Sequence, residues 1–134
     1  MIHRIKINTR AKVELQDITG EVQDVVKSSG IESGICYVLV PHTTAAVTVN
    51  EHADPSVATD IVTQFEVIAP QHNNYRHMEG NSPAHIKASL IGNSETLFIE
   101  DKKIVLGTWQ GIFFCEFDGP RNRTMLVKIV SDRP

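Results

Sequence analysis

Gly34-Ile35-Cys36-Tyr37-Val38-Leu39-Val40-Pro41 is the stretch whose reading decides the fold. It is a continuous apolar run ended by a proline, which predicts a strand covered on both faces that stops at Pro41 and delivers His42 at its C-terminal end. Directly after it, Ala45-Ala46-Val47-Thr48-Val49-Asn50-Glu51 alternates as a second strand. Upstream, Ile2, Arg4, Ile5 and Ile7, then Ala11, Val13 and Leu15, give two short strand-like runs joined by the polar turn Asn8-Thr9-Arg10, the pattern of a hairpin. Asp17 next caps a run in which Ile18, Val22, Val25 and Val26 recur at helical spacing, and Gly30 stands where a glycine ends a helix.

Downstream, Asp54-Pro55 pairs a capping carboxylate with a proline suited to a first helical turn, and predicts a helix to about Ile68 with Val57, Ile61, Phe65 and Ile68 as its apolar stripe. From Ala69 to Ser82 the composition turns to Pro, Gln, His, Asn, Tyr, Arg, Glu and Gly. That is a long loop for a compact domain and a candidate functional one. Ser82 reads as an N-cap and Pro83 as the first residue of a helix running to Leu90 and closed by Gly92. Strands are expected at Thr96 to Glu100, Ile104 to Leu106, Trp109 to Phe117 and Thr124 to Val130, with Asp101-Lys102 as a turn. Strand-rich ends flanking helices predict an α+β fold, a mostly antiparallel sheet with helices, in one domain over residues 1–134. In the strand at 109–117, Ile112, Phe113, Phe114 and Phe117 put large apolar side chains on both faces, so one face is expected to meet another subunit.

A chain of 134 residues can bury a core without staples. The formal charge of -3 and pI near 6.0 provide no basic field beyond Arg121 and Arg123, which argues against nucleic acid as a partner. Cys36 and Cys115 fall inside apolar strand patterns, as reduced cysteines of a cytosolic protein do, with a disulfide between them left open. No signal-peptide core or run of about 20 apolar residues is present, so a cytoplasmic protein without a membrane partner is expected.

Three histidines stand at the edges of these elements: His42 after the first strand, His77 in the long loop, and His85 in the first turns of the helix at 83, where free N–H groups and the positive dipole end gather. Three imidazoles plus an open position is the ligand count of a catalytic zinc site, although the spacing is no zinc signature and loop histidines are often surface residues. The expected cofactor is a divalent metal, zinc first and magnesium second, held by His42, His77 and His85. Glu51 follows the strand alternation toward the region of His42 and reads as a general base, whereas Asp54 is most simply an N-cap. In Glu116-Phe117-Asp118-Gly119-Pro120-Arg121-Asn122-Arg123, Asp-Gly-Pro alone justifies a turn. The functional reading has Arg121 and Arg123 fork phosphate beside His85, with Lys87 adding a point charge and Asp118 orienting Arg121. The candidate catalytic set is therefore Glu51, His85 and Asp118, and the candidate substrate contacts are Asn81, Lys87, Arg121 and Arg123. Trp109 is read as core or interface area.

His42-Thr43-Thr44-Ala45-Ala46, Asn50-Glu51, Gly80-Asn81 through His85-Ile86-Lys87, and Gly107-Thr108-Trp109-Gln110 with Glu116 to Arg121 occur in the order seen in the YjbQ family, which this chain resembles over most of its length. The resemblance implies a compact α+β sandwich, a homotrimer, and a secondary thiamine-phosphate synthase that joins a pyrimidine diphosphate to a thiazole phosphate with release of pyrophosphate. Where many members have His-Ala-His, this chain has Pro83-Ala84-His85, which leaves His77 and His42 as the partners of His85. The chain has no glycine-rich phosphate loop and no acidic magnesium pair. A metal-dependent hydrolase with Glu51 as base, and a non-catalytic trimer binding a metal or small ligand, are the alternatives.

Overall fold

The apolar run at 34–40 forms β3 (Gly34–Leu39), the middle strand of a five-stranded sheet, in a computed structural model that describes residues 1–134. Around it lie β1 (Ile2–Asn8), β8 (Asn122–Ser131), β5 (Ser94–Glu100) and β6 (Lys103–Ile104), in the order β1-β8-β3-β5-β6. A second sheet has three strands, β2 (Glu14–Asp17), β7 (Gln110–Glu116) and β4 (Ala45–Glu51), in the order β2-β7-β4. Every pairing is antiparallel. The helices are α1 (Thr19–Ser29), α2 (Pro55–Ile68) and α3 (Ser82–Ile91), and none is long and apolar enough to cross a membrane.

The sheets stack. The main core collects Cys36, Val38, Met125 and Val127 from the five-stranded sheet, Val47, Ile112 and Phe114 from the three-stranded one, and Val22 and Val26 from α1. Ala46, Phe113, Cys115 and Phe117 turn to the opposite side of the small sheet, where Ala84 and Ala88 of α3 and Phe65 of α2 cover them. Phe65 and Phe117 meet edge to face at 5.8 Å. β7 is thus buried on both faces within one chain, so its apolar residues do not call for a second subunit.

The unpartnered apolar face lies elsewhere. β3 is covered on one side only: Cys36 and Val38 are buried, while Tyr37 and Leu39 point outward with Phe98 and Val130 of the neighbouring strands. Phe98 is 64% exposed and Tyr37 44%. Within one chain the expected cover on both faces of β3 is met on one face only, because apolar residues on both faces of a strand do not reveal whether the partner of each face lies in the same chain.

The N-terminal hairpin does not form. β1 pairs with β8 and β2 with β7, one in each sheet, and the turn residue Thr9 bonds Arg121 instead of closing back on its own strand, with its N–H 3.0 Å from the Arg121 carbonyl. Most other boundaries follow the sequence signals. Gly30 ends α1 at φ 70°, the Asp54 carboxylate accepts the Ser56 N–H at 2.9 Å, and Asp101 and Lys102 turn the chain at positive φ. Ser82 is already helical, and Asn81 takes the cap position of α3.

Candidate functional site

Four segments deliver side chains to one open cleft of about 470 Å³: the strand-end peptide 41–44, the loop before α3, the first turn of α3, and the 121–123 segment opening β8. They contribute His42, His77, His85, Arg121 and Arg123, with Glu79 as the one lining carboxylate.

His42 is set by β8. Its Nε2 lies 3.0 Å from the Thr124 nitrogen and 3.1 Å from the Thr124 oxygen. Accepting from the Thr124 N–H places the ring proton on Nδ1; donating to the Thr124 carbonyl frees Nδ1 as an acceptor or ligand. Burial first, then the Arg123 cation, pulls His42 below the ordinary imidazole range, so it is neutral at pH 7. His77 and His85 sit edge to face with ring centres 5.3 Å apart.

Arg121 is aimed by the turn before it. Its Nε donates to the Asp118 carbonyl at 2.8 Å and its Nη2 to the Asp118 carboxylate at 2.9 Å, leaving Nη1 without a protein partner. The same carboxylate accepts from Asn81 Nδ2 at 2.9 Å and from Lys12 Nζ at 3.4 Å. Burial would raise Asp118, but these bonds and the Lys12 and Arg121 charges outweigh it and hold the carboxyl below its ordinary value. Gly119 is required there, since a Cβ would lie 2.3 Å from the Ala11 carbonyl oxygen.

Arg123 is spent inside the protein. It forks Glu116, with Nε 2.8 Å from Oε1 and Nη2 on Oε2, and Nη2 also donates to the Thr44 hydroxyl at 2.8 Å. Glu116 is 0% exposed and additionally accepts the Thr9 hydroxyl at 2.7 Å and the Asp118 N–H at 3.1 Å. Arg123 thereby fixes the cleft floor rather than reaching out as a phosphate fork, and only its Nη1 lacks a protein partner. Burial pushes Glu116 up, yet Arg123 and Thr9 hold it below the usual carboxylate range.

The family profile described as "UPF0047 protein YjbQ-like" matches residues 3–132. The chain belongs to the YjbQ/UPF0047 family. It is 50% identical to the UPF0047 protein MJ1081 of Methanocaldococcus jannaschii, over 99% of this chain and 96% of that one, and 46% identical to YugU of Bacillus subtilis, over 97% and 99%. A crystal structure of a YjbQ/UPF0047 protein from Clostridium acetobutylicum superposes at a TM-score of 0.94 with 48% identity, covering 96% of this chain and 99% of that one. A Sulfolobus solfataricus structure, described as a YbjQ-like protein of unknown function, gives 0.94 at 36% identity over 98% and 97%.

Within this YjbQ-family fold the cleft unites His42, His77, His85, Asn81 and Arg121, with Asp118 behind Arg121. Two candidates are not brought to it. Glu51 ends β4, six residues and about 20 Å of strand from Ala45, and its carboxylate accepts the Ala53 N–H at 2.8 Å as the cap of the following turn. Lys87 faces the core beneath α2, because residues two apart on a helix point about 200° apart and His85 already takes the cleft side. No three His, Cys, Asp or Glu side chains are gathered closely enough to enclose an ion. Thr44 and Glu116 stand in the family motifs and Thr9 in the first turn, but none of them has a role in the site that sequence assigns, since no local signal pairs Thr9 with Glu116 across 107 residues.

Proposed function

We propose that the cleft binds the phosphate of a small phosphorylated molecule, and that its histidines act on that molecule. The observation carrying this reading is the convergence of Arg121, three imidazoles and the N-terminal end of α3 on one opening that holds a single carboxylate. Arg121 offers Nη1 to an oxyanion from a guanidinium already oriented by Asp118, so little freedom is lost on binding. His42, neutral and tethered to Thr124, serves as acceptor or proton relay, and His85, which lines the cleft where Glu51 does not, serves as the acid–base group.

The His77 and His85 pair is compatible with a divalent ion, since two imidazoles on one tetrahedral zinc have ring centres about 5 Å apart. These two residues would hold it, with His42 lining the same cleft. A bound zinc or magnesium would neutralise phosphate charge. The reaction we assign is the one the family resemblance implies: the thiazole nitrogen forms a C–N bond to the pyrimidine methylene as its C–O bond to the diphosphate breaks and pyrophosphate leaves. The hydrolase alternative loses its proposed base, as Glu51 caps a turn at the far end of β4.

We also assign a homotrimer, supported by the outward Tyr37, Leu39, Phe98 and Val130 and by an α2 in which no residue is fully buried. Calorimetric titration with pyrophosphate, with and without zinc, together with a coupling assay on the two phosphorylated substrates, tests the functional reading. Binding without turnover would leave a ligand-binding protein, and no binding in either state would overturn the reading.

A further inference from the structure

Lys87 is the one charged residue on the buried stripe of α3. Ala84, Lys87 and Ala88 all turn inward, and Lys87 is 1% exposed. Its ammonium has three protons to donate and a single protein partner, Glu66 Oε2 at 3.4 Å near the end of α2. An apolar side chain would pack there without the cost of taking an ammonium out of water.

What the pair reaches is the loop. Glu66 Oε1 accepts the Gln71 N–H at 2.9 Å, and this is the only hydrogen bond joining residues 70–80 to the rest of the fold. The other bonds of that segment are internal: the Tyr75 hydroxyl to the Pro70 carbonyl, Tyr75 to Asn73, Asn74 to Asn73, and Gly80 to His77. At its far end the segment hands over to Asn81, held by Asp118. His77 and Glu79, both lining the cleft, lie between these two ties.

We propose that Lys87 is a positioning residue: from inside the core it fixes the Glu66 side chain, and through Glu66 it sets the start of the 70–80 segment that carries His77 to the cleft. This rests on the reading of the cleft as a phosphate site. It explains a buried lysine that contributes poorly to packing, since one charge held from below fixes a carboxylate that is half in solvent and otherwise free to rotate.

Lys87→Met and Glu66→Gln test it, in the full chain, by amide hydrogen exchange across residues 70–80, melting temperature, and calorimetric affinity for inorganic pyrophosphate. Lys87→Met is expected to keep or raise the melting temperature while exchange in 70–80 quickens and pyrophosphate affinity falls, each by about tenfold. Glu66→Gln leaves the core packing intact but strips the buried Lys87 ammonium of its counter-charge, so it is expected to lower the melting temperature while exchange in 70–80 quickens and pyrophosphate affinity falls as in Lys87→Met; for exchange and affinity the double variant is expected to be no worse than either single one. Unchanged exchange and affinity in both single variants, or additive effects in the double, would overturn the proposal. A wild-type protein that does not bind pyrophosphate would refute the cleft reading instead, while the exchange measurement still decides whether Lys87 ties down the loop.

Discussion

Replacing Arg123 with Met gives a measurable test of the cleft floor. The substitution removes two bonds to Glu116 and those to Thr44, and leaves a fully buried carboxylate with only the Thr9 hydroxyl and the Asp118 N–H. Removing one partner of a buried ion pair costs about 3–5 kcal/mol, a large share of the ~5–15 kcal/mol that holds a domain of this size together. At roughly 2.1 cal/mol/K of unfolding entropy per residue, that corresponds to a fall in melting temperature of about 10–18 °C. The pH dependence carries the mechanism. In the wild type Glu116 is held below its ordinary value, so its contribution is present above about pH 4.5, the unfolded carboxyl value, and is lost as pH falls through the folded value. Without Arg123, burial dominates and raises the carboxyl, so the penalty is largest at neutral pH and shrinks in acid as Glu116 takes a proton. Denaturant unfolding of both proteins at pH 5 and pH 8 measures this. The double change Arg123→Met with Glu116→Leu should recover most of the loss, since it removes both charges together. A penalty under about 1 kcal/mol, or one equal at both pH values, would refute the reasoning.

Other perturbations separate the remaining roles. Arg121→Lys keeps the charge but loses the oriented Nη1, and should weaken pyrophosphate binding by about 1.5–3 kcal/mol in calorimetry with little change in melting temperature. Glu51→Gln should leave that affinity unchanged and cost about 1 kcal/mol of stability through the weakened turn cap, measured by urea unfolding. Phe98→Asp places a carboxylate on the open sheet face and should shift the light-scattering mass from three chains toward one, with the far-ultraviolet spectrum unchanged.

Much of this fold is local in origin and was legible in the sequence. The Asp54-Pro55 start, the Gly30 stop, the Asp101-Lys102 turn and the long polar loop are written in neighbouring residues, because capping, positive φ and loop composition act within a few positions. The helical register held one further answer: His85 and Lys87, two residues apart, could not share a cleft. The family motifs contain His42, Asn81, His85 and Arg121 and the polar loop contains His77, and all five line one cleft. Tertiary structure alone decided the rest, because pairing energy does not depend on sequence separation. Thr9 bonds Arg121 and Glu116 across more than a hundred residues, which splits β1 and β2 between two sheets and turns Arg123 inward. Strand rise carries Glu51 away from the site that its motif begins, and the stacking of the two sheets leaves Tyr37 and Phe98 outside while burying every large apolar side chain of β7. A sequence specifies which residues are apolar or charged, but which of them meet is set only when the layers close.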